Sequence, residues 1–576
     1  MARVRNALII DGYVDEPACF GVPPYVSPYV RYCAGVMFSH GIDVRSATCD
    51  QWRLARAEYG YAIASSDVVL VIMGLTVPGR YRGGSPLTLR ELREISGIKR
   101  AGVLAVGGPV RMGYTLRGGS SAERIDVEGV DFTAFGDPEM SLDIFCGTGE
   151  WVSDARRSYG WLDGRRKIAA LGAGIVKLHP SYPDIIAEIE LSRGCDKAAC
   201  GAPCSFCTEG LSRLYEERSA EGVISEIEAL DAHGVSAYRL GRAASILAWG
   251  GRMTGNGVRP DPKRLESLYS GIRRGAKNLA VLHTDNCNPM TIAAFPDESS
   301  ACFEVIARHN SGGDGLSLGI ESLDPDVRKL NRLKTSFGDS LTAVRLINQA
   351  GGMRKGRGLP ALLPGLNFLF GLAGETVEGM EWNTRFLEAI LEEGLSVRRI
   401  NIRRAMVFPG TELASLAMTH PPRIGERDFR RWKRWVRGAV DPEMLSRVAP
   451  DGTILRKVIL ENREGNVIFG RQLGSYPPLV GVVSPLLERG MKIDAAVTGR
   501  GGRSLTAVRY PLDANLAARA ELTALPEIGR ARADFIASHV PYGSAEEFKK
   551  ILSELDSPGI ADRLSIYFGG GREGSG

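Results

Sequence analysis

Long apolar runs and abundant cysteine are both missing from this chain of 576 residues. No uninterrupted apolar stretch reaches about 18 residues, so a transmembrane helix is not expected. The opening stretch, MARVRNALIIDGYVDEP, breaks its apolar run at Asp11, which is too early for a secretory signal segment. Low-complexity tracts and internal repeats are absent as well. We therefore expect a cytoplasmic protein with no membrane partner.

Cysteine is scarce, with ten residues in the chain, yet four of them fall in the stretch RGCDKAACGAPCSFCTEG (193–210). In a cytoplasmic protein, clustered cysteines indicate metal or redox chemistry rather than a disulfide framework. The net charge of +5 neither requires nor excludes an acidic polymer as a partner. The length exceeds what one hydrophobic core supports and predicts several domains.

Two regions alternate apolar strand patterns with helical patterns, which is typical of the α/β class. In residues 1–150 the pattern predicts a doubly wound parallel sheet, and residues 151–184 are expected to be a linker. In residues 185–440 it predicts a partial or complete (β/α) barrel with its chemistry at the carboxyl ends of the strands. The predicted barrel strands are IIAEIELSRG, SAYRLG, NLAVLHTD, GLSLGIES, GLNFLFGLAGE and RRINIRRAMVFPG.

Two smaller units are predicted after the barrel. Residues 441–512 show period-two alternation and Gly-Gly turns, which indicate a small antiparallel β module. Residues 513–576 are helical with a tight turn at PEIG, and the terminal GGGREGSG is expected to be a disordered tail.

The cysteine stretch contains the candidate metal ligands. Cys200, Cys204 and Cys207 have the spacing C-x3-C-x2-C, which lets three thiolates bind three irons of a cubane cluster and leaves the fourth iron open. Phe206 is expected to shield the cluster from water. Cys195 directly follows the first barrel strand, so Cys195 and Cys200 stay alternatives for the first ligand. Structural zinc is the other alternative, although no second CxxC or His pair occurs to complete a closed site.

With its aromatic residue beside the last cysteine, this motif resembles that of the radical S-adenosylmethionine (SAM) superfamily. Two later segments are also similar, GIES (319–322) and FLFGLAGET (368–376), whereas RLGRAAS (239–245) departs from the GGE motif that the family usually has at that place. The resemblance covers about residues 185–415. It implies a [4Fe–4S] cluster, SAM as cofactor, cleavage of SAM to a 5′-deoxyadenosyl radical, and an electron donor such as ferredoxin or flavodoxin.

The resemblance also implies which residues hold SAM. GIES would contact the ribose and methionyl parts, with Glu321 accepting hydrogen bonds from the ribose hydroxyls, while FLFGLAGET would pack against adenine. RLGRAAS would lie at the methionyl amino group. A helix-capping role is the alternative for Glu321, and Asn286 is a weaker candidate because Asn in a strand-end loop is commonly a turn residue. The implied cofactor-binding residues are Phe206, Gly241, Arg242, Glu321, Ser322, Gly371, Gly374 and Glu375.

The first domain resembles the cobalamin-binding-like or methylthiotransferase-like domains that precede many radical SAM barrels, through VGGP (106–109) and FGDPE (135–139). The D-x-H-x-x-G motif whose His would coordinate cobalt is absent, so cobalamin is not expected to bind in its base-off form. Methylthiotransferases place three cysteines in this domain to hold a second cluster, and buried packing is the alternative role for such residues. The candidates here are Cys19, Cys33, Cys49 and Cys146.

Three C-terminal features suggest nucleic acid. The β module loosely resembles the RNA-binding TRAM domain, and small β-barrels offer Gly-rich loops and basic faces to RNA. DFRRWKRWVRGAV (428–440) predicts either phosphate contact with base stacking on Trp432 and Trp435, or a helix that buries both rings. LTALPEIGRARADFI resembles a helix-hairpin-helix motif, which binds phosphates or serves as a packing unit, with Glu527 in place of the usual first Gly.

The sequence thus favours a radical SAM enzyme that modifies a macromolecule, most plausibly an RNA or tRNA base, by methylthiolation or another C–H functionalisation. This domain order resembles a group of largely uncharacterised archaeal radical SAM proteins. One alternative is a radical SAM enzyme acting on a protein side chain or small metabolite. Another is a nucleic-acid-binding protein with a structural metal cluster.

Overall fold

The computed structural model describes residues 4–14, 22–74, 84–115, 118–199, 201, 203–212, 214–255, 257–333, 335–555 and 557–568. Cys19, Cys200 and the terminal GGGREGSG, all named in the predictions above, lie outside these residues. Among the described residues, no helix is both long enough and apolar enough to cross a membrane.

The N-terminal region forms a five-stranded parallel sheet in the order β3-β1-β4-β5-β6. Along β1, Ala7 and Ile9 pack into the core on one face while Leu8 and Ile10 pack into the core on the other. Burial on both faces explains why these strands are continuous apolar runs. The strands of this sheet are β1 (Asn6–Asp11), β3 (Asp43–Thr48), β4 (Val68–Ile72), β5 (Val103–Gly107) and β6 (Phe132–Thr133), and the short β2 (Tyr25–Val26) lies outside it. The helices are α1 (Pro28–Ser39), α2 (Cys49–Leu54), α3 (Arg56–Ser65), α4 (Leu89–Ser96), α5 (Pro138–Thr148), α6 (Tyr159–Asp163) and α7 (Ile168–Leu171).

The central region is a partial barrel made of two four-stranded parallel sheets, ordered β13-β10-β7-β2 and β14-β15-β16-β17. All six predicted barrel segments form strands here. The strands are β7 (Ile186–Glu190), β8 (Ser192–Gly194), β9 (Tyr215–Glu217), β10 (Ala237–Gly241), β11 (Arg252–Thr254), β12 (Gly257–Arg259), β13 (Val281–Thr284), β14 (Asn286–Cys287), β15 (Asp314–Glu321), β16 (Leu362–Phe370) and β17 (Arg399–Arg404).

The helices of this region lie mostly between the strands in the chain, and most of them share one apolar core with the strands. They are α8 (Asp196–Ala199), α9 (Ala220–Ala232), α10 (Pro262–Gly275), α11 (Pro289–Ala294), α12 (Pro296–His309), α13 (Pro325–Asn331), α14 (Phe337–Gly351), α15 (Met380–Glu392), α16 (Leu413–Thr419), α17 (Glu426–Trp435) and α18 (Asp441–Val448). A π-helical turn, Val436–Val440, joins the last two.

A closed five-stranded barrel follows, in the order β18-β19-β20-β22-β21. Its strands are β18 (Ile454–Glu464), β19 (Val467–Arg471), β20 (Leu479–Val483), β21 (Lys492–Arg500) and β22 (Ser504–Tyr510). Four C-terminal helices pack on it through a shared core that includes Ala496 and Val508. They are α19 (Arg519–Thr523), α20 (Arg530–Ser538), α21 (Ala545–Ser553) and α22 (Ile560–Ser565).

The predicted α/β class with parallel sheets is confirmed, while the proposed domain boundaries stay predictions. One connection was not foreseen. Strand β2 lies early in the chain, yet it pairs in parallel with β7 and extends the barrel sheet. The Tyr25 hydroxyl also donates a hydrogen bond to the Gly474 carbonyl at 2.8 Å, so this short segment contacts the C-terminal β module as well.

Candidate functional site

The carboxyl ends of the parallel barrel strands meet at one edge, here called the carboxyl edge. Gly241 ends β10, Glu321 ends β15 and Gly371 follows β16. Cys195, Cys204 and Cys207 lie between β8 and β9, on a segment here called the cysteine loop, which comes after β7 at the same edge. The topology therefore brings the segments predicted to hold SAM and the cluster to one end of the barrel.

The cysteine loop is closed at its base by the β8–β9 hairpin. Gly194 has a φ of +73°, and a Cβ atom built there would lie 1.8 Å from the Leu214 carbonyl oxygen. The Cys195 amide donates to that same carbonyl at 3.2 Å. Only glycine fits this approach, so Gly194 fixes where the loop begins.

Asn331, at the end of α13, anchors the middle of the loop. The Ser205 amide donates to the Asn331 carbonyl at 3.1 Å, and the Ser205 hydroxyl donates to Asn331 Oδ1 at 2.8 Å. Asn331 Nδ2 in turn donates to the Ala373 carbonyl at 2.8 Å. Phe206 packs in the same small apolar cluster as Leu372 and Ala373. These contacts hold the cysteine loop against residues 371–375, the GLAGE segment, which follow β16.

The described thiols of the loop differ in their surroundings. Cys204 is buried, and the Lys197 ammonium donates to its sulfur at 3.5 Å. Cys207 is half-buried, and its amide donates to the Cys204 carbonyl at 3.1 Å. Cys195 is buried with its sulfur 3.8 Å from Asp196 Oδ1.

A cluster could be held only by a suitable set of donors. Within the described ranges, no three His, Cys, Asp or Glu side chains are grouped closely enough to hold a metal ion, so Cys195, Cys204 and Cys207 do not form such a set here. Soft thiolates on one loop are nevertheless the donors that iron–sulfur clusters require, so the donor chemistry of the loop suits this group even though the described thiols are not gathered around one point. The role of Cys200 stays a prediction.

Three of the candidate cysteines for a second cluster pack in apolar clusters, Cys33 and Cys146 in one and Cys49 in another. Burial raises the pKa of the Cys33 and Cys49 thiols well above the ordinary value and raises that of Cys146 to about 12. These contacts agree with the packing role named as the alternative, and the second cluster stays a prediction.

Glu321 has an unusual backbone. Its φ is +62°, and the register between β15 and β16 shifts between Gly319 and Glu321. A Cβ atom at Gly319 would lie 3.1 Å from Glu321 Oε1. The buried Ser322 donates its amide to the Ile320 carbonyl at 2.8 Å. A strained bulge at a strand end is a frequent mark of a functional position.

The Glu375 side chain fixes the backbone of the GLAGE segment. The Gly371 amide donates to Glu375 Oε2, and the Glu375 carboxylate is almost completely buried. Burial raises the pKa of Glu375 to about 7, despite this hydrogen bond. Gly371 and Gly374 have φ values of +87° and +77°, which favour glycine. The carboxylate thus braces the loop that the resemblance places beside adenine.

Gly241 and Arg242 lie where the resemblance places the methionyl amino group. A Cβ atom at Gly241 would lie 1.8 Å from Glu188 Oε1, so no larger residue fits. Arg242 has a φ of +52°, pairs through Nε with Glu190 Oε2 at 2.8 Å, and lies over the Tyr29 ring at 4.5 Å. Arg242 is therefore engaged by a carboxylate at the carboxyl edge.

Glu190, which the sequence reading missed, is the centre of a buried ionic cluster. It accepts hydrogen bonds from Arg157 at 2.6 Å, from the Tyr159 hydroxyl at 2.9 Å and from Arg193 at 3.2 Å. Burial alone would raise the pKa of Glu190, but the guanidinium groups of Arg157, Arg193 and Arg242 hold it well below the ordinary value. The cluster extends to the FGDPE segment, because Asp137 pairs with Arg193 at 2.9 Å.

A second buried group lies inside the barrel. Arg239 pairs with Glu188 at 2.6 Å and with Asp285. Burial raises the pKa of Glu188 to about 8 and that of Asp285 to about 7. Asn286 donates to the Ala243 carbonyl at 3.4 Å. The sequence does carry one sign of these buried acids, because Glu188 and Glu190 alternate with apolar residues in the strand IAEIE (186–190).

Trp432 and Glu527, each from one of the predicted nucleic-acid features, contact other residues of the chain. Trp432 is 6% exposed, and its ring centroid lies 5.0 Å from that of Phe370 while its Nε1 donates to Thr384 Oγ1 at 3.0 Å. Of the two roles left open for this residue, burial against the barrel is thus the one observed. Glu527 has a φ of +64° and pairs with Arg563 at 2.7 Å. The Arg563 guanidinium therefore neutralises the charge of the acid in the PEIG turn.

Comparison with known proteins finds relatives of unassigned function. The chain is 38% identical to the uncharacterized protein MJ0274 of Methanocaldococcus jannaschii over 513 residues, covering 87% of this chain and 93% of that protein. It is 36% identical to an uncharacterized protein of Archaeoglobus fulgidus over 554 residues, covering 95% of this chain and 97% of that protein. No family model matches the chain.

Among solved structures, the chain is similar to the apo, selenomethionine-labelled form of OxsB, described as a cobalamin-dependent S-adenosylmethionine radical enzyme. The TM-score is 0.53 at 9% identity, covering 76% of this chain and 67% of OxsB. At that identity the likeness concerns the fold alone.

Proposed function

This chain belongs to the family of archaeal proteins that includes MJ0274 of M. jannaschii, and we propose that it is a radical SAM enzyme. The observation that carries this proposal is the placement of the cysteine loop. Through Ser205, Asn331 and Ala373 the loop is tied to the GLAGE segment at the carboxyl edge. The likeness to the fold of OxsB supports the same reading.

Cys204 and Cys207, with Cys200 or Cys195, would hold a [4Fe–4S] cluster, and a bound cluster of this kind supplies one electron for cleavage of a C–S bond of SAM. The chain's own residues shape the surroundings of that reaction. Phe206 covers the loop on its apolar side, and Glu375 fixes the backbone of the GLAGE segment. Glu321 would accept hydrogen bonds from the ribose hydroxyls.

The proposed substrate is a macromolecule, an RNA or tRNA base, modified by methylthiolation or another C–H functionalisation. The closed β-barrel after the catalytic barrel supports this proposal, because small barrels of this kind commonly bind nucleic acid. A protein side chain or a small metabolite is the second candidate. OxsB is described as cobalamin-dependent, so that likeness gives no support to the expectation that this chain works without cobalamin.

Anaerobic reconstitution with iron and sulfide, followed by iron counting and a SAM-cleavage assay, tests the proposal. We expect about four irons per chain and 5′-deoxyadenosine after reduction. Cys204→Ala and Cys207→Ala should lose both, and whichever of Cys195→Ala and Cys200→Ala does so identifies the first ligand. Cys302→Ala, a buried cysteine of α12, is the matched control and should keep both. Zinc binding, or a cluster that never cleaves SAM, would overturn the proposal.

A further inference from the structure

A cavity of about 480 Å³ lies where the barrel meets the β module. Its wall is formed by the start of β17, by α18 and the preceding π-helical turn, and by the loops around Tyr476 and Gly502. A cavity of this volume is large enough for a ligand of nucleotide size. Five arginines line it, and we call it the arginine cavity: Arg398, Arg399, Arg437, Arg471 and Arg503.

Acids balance only part of this charge. Among the described lining residues Asp441 is the one carboxylate, and it lies 2.6 Å from Arg437 and 3.9 Å from Arg503. Arg471 pairs with Glu461, outside the cavity wall, at 2.5 Å. These two acids therefore pair with three of the five guanidinium groups.

Arg398 and Arg399 carry the unbalanced charge. In the part of the chain that the structure describes, no carboxylate lies within ion-pair distance of either guanidinium. Arg398 donates to the Gly313 and Tyr476 carbonyls, each at 3.0 Å, and Arg399 lies 3.8 Å from the centroid of the Tyr476 ring. Burial and the neighbouring charge of Arg399, opposed in part by Asp314, lower the pKa of Arg398 to about 10, so Arg398 remains a cation at neutral pH.

A second cavity, of about 590 Å³, adjoins the first and shares Arg398, Pro477 and Pro478 with it. Its lining continues the positive charge with Lys355, Arg456, Lys457 and Lys492. Two of these cations are paired, Arg456 with Asp494 and Lys492 with Asp184, both at 2.7 Å. The positive lining thus extends beyond the reach of a single phosphate, which favours an extended polyanion over a small anion.

We propose that the arginine cavity binds backbone phosphates of a single-stranded RNA segment, which continues into the adjoining cavity. Guanidinium groups bind phosphate oxygens in pairs, and the stacked Arg399–Tyr476 pair offers a flat surface to a base. This inference rests on the proposed RNA substrate. It unites two sequence signals, since Arg437 belongs to the basic segment 428–440 and Arg503 to a Gly-rich turn of the β module.

The arginine cavity lies far from the carboxyl edge, where the proposed reaction takes place. Arg399 begins β17 and Arg404 ends it at the carboxyl edge, so the length of this strand separates the cavity from that edge by about 16 Å. The cavity would therefore anchor RNA outside the modified nucleotide, and it contributes affinity rather than catalysis.

Fluorescence anisotropy with a labelled random-sequence RNA of about 12 nucleotides tests the proposal, using the full chain between about 50 and 200 mM salt. Arg399→Gln and Arg503→Gln should each weaken binding about 5- to 10-fold and reduce the salt slope by about 1. Arg399→Lys should give an intermediate loss because charge remains but the planar fork does not. The control Arg345→Gln, an exposed arginine on α14 paired with Glu393, should bind like wild type.

RNA binding that is equal in wild type, both glutamine variants and the control would overturn the proposal. Binding of inorganic phosphate by calorimetry without binding of RNA would overturn it too, because the cavity would then be a small-anion site. The binding assay needs neither cluster nor SAM. Failure of SAM cleavage with intact, arginine-dependent RNA binding would therefore count against the proposed function alone.

Discussion

The Glu190 carboxylate lies 2.6 Å from Nη2 of Arg157, a buried contact that joins the end of the first barrel strand to the segment before the barrel. Arg157 also pairs with Glu139, so one guanidinium serves two buried acids. Arg157→Met should destabilise the protein by about 3–5 kcal/mol, because it leaves both acids without this partner. Urea unfolding measures the change. Arg345→Met, at an exposed pair, should change the free energy of unfolding far less, and equal losses in the two variants would contradict the expectation.

Glu375 gives the stability of the GLAGE segment a pH dependence. Its pKa rises from 4.5 in the unfolded chain to about 7 in the fold, so the native state holds the proton more tightly and loses stability as pH rises from about 4.5 to above 7. The full effect is at most about 3 kcal/mol. Glu375→Gln keeps the acceptor for Gly371 and should be more stable than wild type at pH 8 but not at pH 5. Thermal unfolding at both pH values would refute this if the difference between the two proteins stays constant.

Gly194 should tolerate no side chain. In Gly194→Ala the new Cβ would press on the Leu214 carbonyl, so the hairpin at the base of the cysteine loop must distort. We expect iron content after reconstitution to fall severalfold while the rest of the fold persists. Gly394→Ala is matched in backbone, with a φ of +68° and open space around its Cβ, and it should cost only about 1 kcal/mol and no iron. Normal iron content in Gly194→Ala would show that the loop is not set by this turn.

Trp432 should matter for stability and not for RNA. Trp432→Phe removes the hydrogen bond to Thr384 and part of the packing against Phe370, at a cost of about 1–2 kcal/mol. RNA affinity in the anisotropy assay should stay at the wild-type value once folded protein is compared. A loss of affinity as large as that of Arg399→Gln would mean that this ring takes part in binding.

Much of the architecture was readable from the sequence, because the parallel strands are continuous apolar runs with crossover helices between them. All six predicted barrel segments form strands. Period and turn chemistry are local signals, and they were sufficient for these elements.

The ionic clusters were not readable, because they form between residues far apart in the chain. Glu190 contacts Arg157 and Arg242, and nothing in the local sequence of any one of them announces the others. Burial also decided roles that spacing left open. The spacing of Trp432 allowed either a solvent-facing or a buried ring, and the packing against Phe370 shows that the ring is buried.

Strand β2 places an unusual demand on biosynthesis. Its two residues leave the ribosome early, but the edge of β7 that they cover is made about 160 residues later. Contacts this distant in sequence are slow to form, so the nascent N-terminal region must keep Tyr25 and Val26 available until the first barrel strand appears. The chain cannot be divided cleanly at residue 185 either. A barrel expressed from that point would carry an uncovered strand edge, which invites association between copies.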